Sequence, residues 1–131
     1  MKRLSVRRGN QMKFKIEVPI YKTTVFVVVG ESDEVASKYF KRFYLDDEGI
    51  QGMRYDNGTE ARVFLSDSRL CYVRFGENPT HECIAHELMH VTFDILRKVG
   101  IYHTSESEES YAYLLDYLVK EFYKKSYQYS D

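Results

Sequence analysis

His86, Glu87 and His90 lie in the run His-Glu-Leu-Met-His, an H-E-x-x-H spacing. On a helix, positions i and i+4 share a face about one turn apart, so these two imidazoles can offer nitrogens to one cation. A glutamate directly after the first histidine can reach a water bound to that cation and serve as its general base. A catalytic zinc keeps three protein ligands and one open position, so a third donor must come from elsewhere. The same helix does not supply it. The longer pattern H-E-x-x-H-x-x-G-x-x-H needs Gly and His where this chain has Phe93 and Leu96.

The plain alternative is a pair of histidines packed in a core. The helix that must carry them is expected from about His81 to Val99, with Thr80 as its cap and Gly100 after its end. Ile84, Leu88, Val91 and Ile95 recur on one stripe of it. His86, His90, Phe93 and Arg97 recur on another, about half a turn away. The histidines therefore do not share the main apolar face, which favours a cleft over a packed pair. His81, five residues before His86, points off that face and reads as a helix-start residue.

The other elements follow from periodicity. Phe14, Ile16, Val18 and Ile20 alternate with Lys13, Lys15 and Glu17, a half-buried strand. Residues 23–29 are β-branched and nearly continuous, a strand covered on both faces. A helix capped by Ser32 follows, with Val35, Ala36, Tyr39, Phe40 and Phe43 on its apolar side. Asp46-Asp47-Glu48-Gly49 reads as a solvated loop, and Asp56-Asn57-Gly58 as a tight turn. Strands are expected over 61–65 and 70–75, and a last helix opens near Ser105 or Ser107 with Glu106, Glu108 and Glu109 in its first turn. The fold class is α+β: a small twisted sheet of about four strands, one helix after the second strand, the H-E-x-x-H helix, and a C-terminal helix. Residues 1–12 read as a flexible basic arm, 13–125 as a single domain and 126–131 as a flexible tail.

Composition narrows the partners. A formal net charge of −1 provides no long-range field toward nucleic acid or an anionic membrane. The longest apolar run, Val25 to Val29, is far short of a membrane span. The basic start lacks the apolar run of a signal peptide. Cys71 and Cys83 are too few for a disulfide framework and read as reduced, buried thiols of a cytoplasmic protein. Any metal would then be held by histidine and carboxylate.

Eighteen residues separate His90 from Glu109, and Ala112 stands one turn after that glutamate. With His86-Glu87-Leu88-Met89-His90, this resembles the gluzincin class of zinc metallopeptidases, the thermolysin-like and aminopeptidase-like group. Asp94, four residues after His90, adds to the likeness, and the acidic start of the last helix is loosely similar to small phage and bacterial zinc-peptidase domains. The resemblance covers residues 81 to about 119. It implies a minimal zincin-like domain in which His86, His90 and Glu109 hold zinc and Glu87 is the catalytic base. It also implies a peptide or protein substrate, laid against a sheet edge in the region of 70–75.

The neighbouring Glu108 competes for the third position. It lies nearer the apolar centre of its helix, whereas Glu109 shares a stripe with Ala112, Tyr113 and Asp116. Glu109 is preferred because a ligand helix must present a second face to the active helix. For both glutamates the plain reading is first-turn acids that favour the helix dipole. Tyr102, His103, Tyr111 and Tyr113 are candidates for stabilising the oxyanion, and Asp94 or Asp116 for orienting a ligand histidine.

Overall fold

The computed structural model describes residues 11–54 and 61–128. In chain order the elements are β1 (Met12–Val18), a 3-10 turn (Pro19–Tyr21), β2 (Thr23–Val29), α1 (Asp33–Arg42), α2 (Asp47–Gly52), β3 (Ala61–Leu65), β4 (Leu70–Phe75), α3 (His81–Lys98) and α4 (Glu108–Tyr127). The strands form one mixed sheet in the order β1-β2-β4-β3. β2 and β4 run parallel, and each carries an antiparallel edge strand, β1 and β3 respectively.

Helices cover both faces, so the chain is an α+β protein with the sheet as its middle layer. Val25, Val27 and Val29 of β2 join Phe14, Ile16, Val73, Leu88, Val91, Ile95, Leu114 and Leu118 in the core under α3 and α4. Phe26 and Val28 point the other way, to Ala36, Phe40, Leu45, Met53 and Tyr72 beneath α1 and α2. This is why β2 is a continuous apolar run. β1 buries Phe14, Ile16 and Val18 and exposes Lys15 and Glu17, the alternation of a strand with one face in water.

Among the described residues two helices, not one, stand between β2 and β3. The acidic run expected as a loop is the start of α2: Asp46 caps it by accepting a hydrogen bond from the Gly49 amide at 2.8 Å. Asp47 and Glu48 then fill its first turn, where the helix dipole favours acids. Met12, expected in the arm, belongs to β1, and Ser126 and Tyr127, expected in the tail, belong to α4. Asp56-Asn57-Gly58 and the outer parts of both termini lie outside the described residues. Among the described residues no helix is long and apolar enough to cross a membrane.

α3 begins where Thr80 accepts a hydrogen bond from the Cys83 amide at 3.1 Å. It ends at Gly100, whose φ of 85° lets the Ile101 amide return to the Leu96 carbonyl at 2.9 Å. Ile84, Leu88, Val91 and Ile95 are buried on the sheet. Removing such side chains from water contributes about 1.5–3 kcal/mol each, and this fixes which face of α3 looks outward.

Candidate metal centre

With Leu88 fully buried, His86 and His90 project from the solvent side of α3. Their Nε2 atoms are 3.3 Å apart, and the rings meet edge to face with centroids 4.9 Å apart. Two imidazole nitrogens bound at about 2.0–2.1 Å to one tetrahedral cation stand about 3.3–3.4 Å from each other. The pair thus has the bite of a bidentate chelate. One neutral ring donating its Nε2–H to the other also satisfies this distance. The chelate differs in turning both lone pairs to one point.

Glu87 is half-buried on the flank of α3 that faces β3. Glu87 and His90 line an open cleft of about 340 Å³, together with Gly52 at the end of α2 and Ala61, Arg62, Val63 and Leu65 of β3. The strand bounding this cleft, β3, is an outer strand of the sheet among the described residues. β4, expected to present a sheet edge, is interior, paired with β2 on one side and β3 on the other.

The remaining candidates are distributed differently from the sequence expectation. Among the described residues, no group of three or more His, Cys, Asp or Glu side chains is placed to hold a metal ion. His86 and His90 converge, but neither Glu109 nor Glu108 is brought to them. Tyr111 packs on Phe93, with ring centroids 4.7 Å apart, and Tyr123 hydrogen-bonds His81, so α4 runs antiparallel to α3. From the Phe93–Tyr111 contact, His90 lies toward one end of the helix pair and Glu109 toward the other. Both glutamates are exposed in the first turn of α4.

Asp94 does not orient a histidine here. It is buried, its carboxylate is 2.7 Å from Lys98 Nζ, and it accepts from the Cys71 thiol at 3.6 Å. Lys98 in turn donates to the carbonyls of Ser66 and Ser68, which ties α3 to the β3–β4 turn. Asp116 is exposed on α4. Tyr111 is buried and donates its hydroxyl to the Ile101 carbonyl at 2.6 Å, a structural role. Tyr113 borders a different groove, formed with Val18, Pro19, Ile20 and Tyr117. His103 packs at an angle against Phe93 and edge to face against Tyr111, on the histidine side of α3, and Tyr102, the preceding residue, is exposed.

His81 is engaged through Nδ1 with the Tyr123 hydroxyl, away from the pair. Burial, then the nearby charge of Glu82, raises the Tyr123 pKa and keeps that hydroxyl protonated. Cys71 is buried, whereas Cys83 is only half-buried, and both are thiols outside any disulfide. Arg62 is the cleft residue that sequence reasoning missed. Alternation marks it only as a polar position between Ala61 and Val63, and the strand order is what sets β3 beside the cleft. No protein-family model matches the chain, and neither does any curated protein or solved structure.

Proposed function

We propose that the chain is a zinc-dependent metallopeptidase of minimal zincin-like form, acting on a restricted protein substrate in the cytoplasm. The observation that carries this reading is the 3.3 Å separation of the His86 and His90 Nε2 atoms beside Glu87. His86 and His90 would hold the zinc, and the resemblance to gluzincins suggests Glu109 as a third donor, although the structure does not bring it to the pair. Bound zinc would bring the pKa of a water toward neutrality and polarise a peptide carbonyl. Glu87 would act as the general base, its carboxylate taking a proton from the attacking water and passing it to the departing amine.

One observation favours a second reading, a zinc-binding interaction module with little turnover: only two of the three expected donors converge. Zinc content after purification without chelator tests both, measured on the wild type, Glu109→Ala and Glu108→Ala. Hydrolysis of unfolded casein by the wild type, compared with Glu87→Gln, separates them. The peptidase reading expects about one zinc per chain, its loss in Glu109→Ala, and cleavage that disappears in Glu87→Gln. Equal behaviour of the wild type and Glu87→Gln with zinc retained supports the module. A chain without zinc removes both readings.

A further inference from the structure

We infer that His86 and His90 are half of a zinc site that a second copy of the chain completes. In the resulting two-fold dimer one zinc is held by four imidazoles, two from each α3, and its open position is closed. The inference rests on the zinc affinity of the pair proposed above and adds the partner that covers it.

The outward face of α3 explains why a second copy fits. Glu82, His86, His90 and Arg97 recur on one stripe of the helix, and all four are exposed. The two Nε2 atoms are 3.3 Å apart, the bite of a chelate, and that bite is presented to solvent. Zinc in a closed site takes four donors in a tetrahedron. One α3 face brings two of them together. A two-fold axis through the metal brings the same two again from the same face, because a two-fold interface is self-complementary by construction. Met89, the residue before His90, is 40% exposed and offers that interface an apolar side chain to cover.

Charge selects the orientation of the two copies. The histidine pair is centred level with Leu88. Glu82 lies about 9 Å along the helix to one side of that level and Arg97 about 14 Å to the other, at a rise of about 1.5 Å per residue. A two-fold axis across the helix sets the copies antiparallel, so Glu82 of each is carried toward Arg97 of the other. Side chains on a helix lean toward its N-terminus. In the antiparallel pair Arg97 therefore leans toward the axis and Glu82 away from it, which narrows the difference between their offsets. A parallel pair would set Glu82 against Glu82 and Arg97 against Arg97. The formal charge of −1 on each chain adds little repulsion between copies.

Stoichiometry gives such a site its own signature. Two half-sites share one metal, so the dimer is favoured at half an equivalent of zinc per chain. A large excess of zinc fills each pair separately and returns the chain to monomer by mass action. A site completed within one chain stays monomeric at every zinc level.

The test is sedimentation equilibrium on the full chain, stripped of metal with a chelator and then titrated with zinc. The mass should double from 15.6 kDa at half an equivalent and return to that value in large excess. His90→Ala should stay monomeric throughout. Arg97→Glu should weaken the dimer about tenfold, as two exposed pairs turn from attraction to repulsion, and adding Glu82→Arg to it should restore most of the loss. Circular dichroism checks that each variant is folded, and His90→Gln replaces His90→Ala if the latter does not fold. A mass unchanged at every zinc level, a dimer that survives loss of His90, or a dimer that persists in large excess of zinc overturns the inference. A dimer indifferent to Arg97→Glu overturns its antiparallel form. Casein hydrolysis that depends on Glu87 is scored separately. Zinc bound by a monomer that hydrolyses casein removes only the dimer. A zinc dimer without such hydrolysis at any zinc level removes the peptidase reading alone, and a chain that binds no zinc removes both.

Discussion

The Nε2 atoms of His86 and His90 are 3.3 Å apart, and the residue between their turns, Leu88, is fully buried. A divalent cation that binds this pair only in the folded state must stabilise the fold by mass action. At a free zinc concentration one hundred times its Kd, the gain is about 2.7 kcal/mol. For a domain of this size that is a rise in Tm of roughly 10 °C. His90→Ala should abolish the rise, and Glu87→Gln should keep it. Differential scanning calorimetry with and without zinc provides the comparison. A wild-type Tm indifferent to zinc would leave the pair as a hydrogen-bonded couple.

The two sides of α3 should respond differently to truncation. Leu88 is buried among β2, β4 and α4 residues, so Leu88→Ala removes contacts and leaves a cavity. The expected cost is about 2–5 kcal/mol. Met89, the next residue, is 40% exposed, and Met89→Ala should change stability by no more than about 0.5 kcal/mol. Urea unfolding of the two variants reads the difference. Similar losses would mean that the faces of α3 are assigned wrongly.

Arg74 is 2% exposed, and its guanidinium is shared among Asp33 and the carbonyls of Met53 and Glu31. Asp33→Ala removes the anion while the charge stays buried, at a cost of about 3 kcal/mol or more. It also removes an acid from the first turn of α1. Replacing both partners, as Asp33→Ala with Arg74→Met, should cost well under the sum of the single changes, because no buried charge is left behind. A double-mutant cycle in urea measures this. Additive losses would show that the pair is not coupled.

What was legible in the sequence was local. The uninterrupted run Val25–Val29 declares a strand covered on both faces, and it is buried throughout. Thr80 and Gly100 bracket α3 because capping is decided within a few residues. α2 was not legible by composition, since Asp46, Asp47, Glu48 and Gly49 are turn formers unless one sees that Asp46 can cap the next three. The outer position of β3 among the described strands, and with it the cleft that Arg62 and Glu87 both line, depends on strand order, which pairs residues far apart in the chain and leaves no local mark. Whether Glu109 can approach the histidine pair is likewise not a local matter. The spacing from His90 to Glu109 does not state the register of α4 against α3, which the Phe93–Tyr111 and His81–Tyr123 contacts set.

The buried thiol of Cys71 gives the fold a directional response to alkali. Burial first, then the charge of Asp94 and the hydrogen bond to it, push its pKa up from 9.0 to about 12, with Lys98 acting in the opposite sense. The folded state therefore holds this proton more tightly than the unfolded chain does. Its contribution is complete below pH 9 and is lost as the pH rises from about 9 toward about 12. Tyr72, raised from 10.0 to about 12 chiefly by burial, adds to the loss above pH 10. Cys71→Ala should be less stable at neutral pH by a constant amount, through the small cavity it leaves. Between pH 8.5 and 10.5, however, the wild type should lose about 2 kcal/mol more than the variant, the cost of ionising one thiol in the unfolded chain only. Urea unfolding at half-unit steps across that range reads the two slopes, and parallel profiles would show that Cys71 titrates freely in the folded protein.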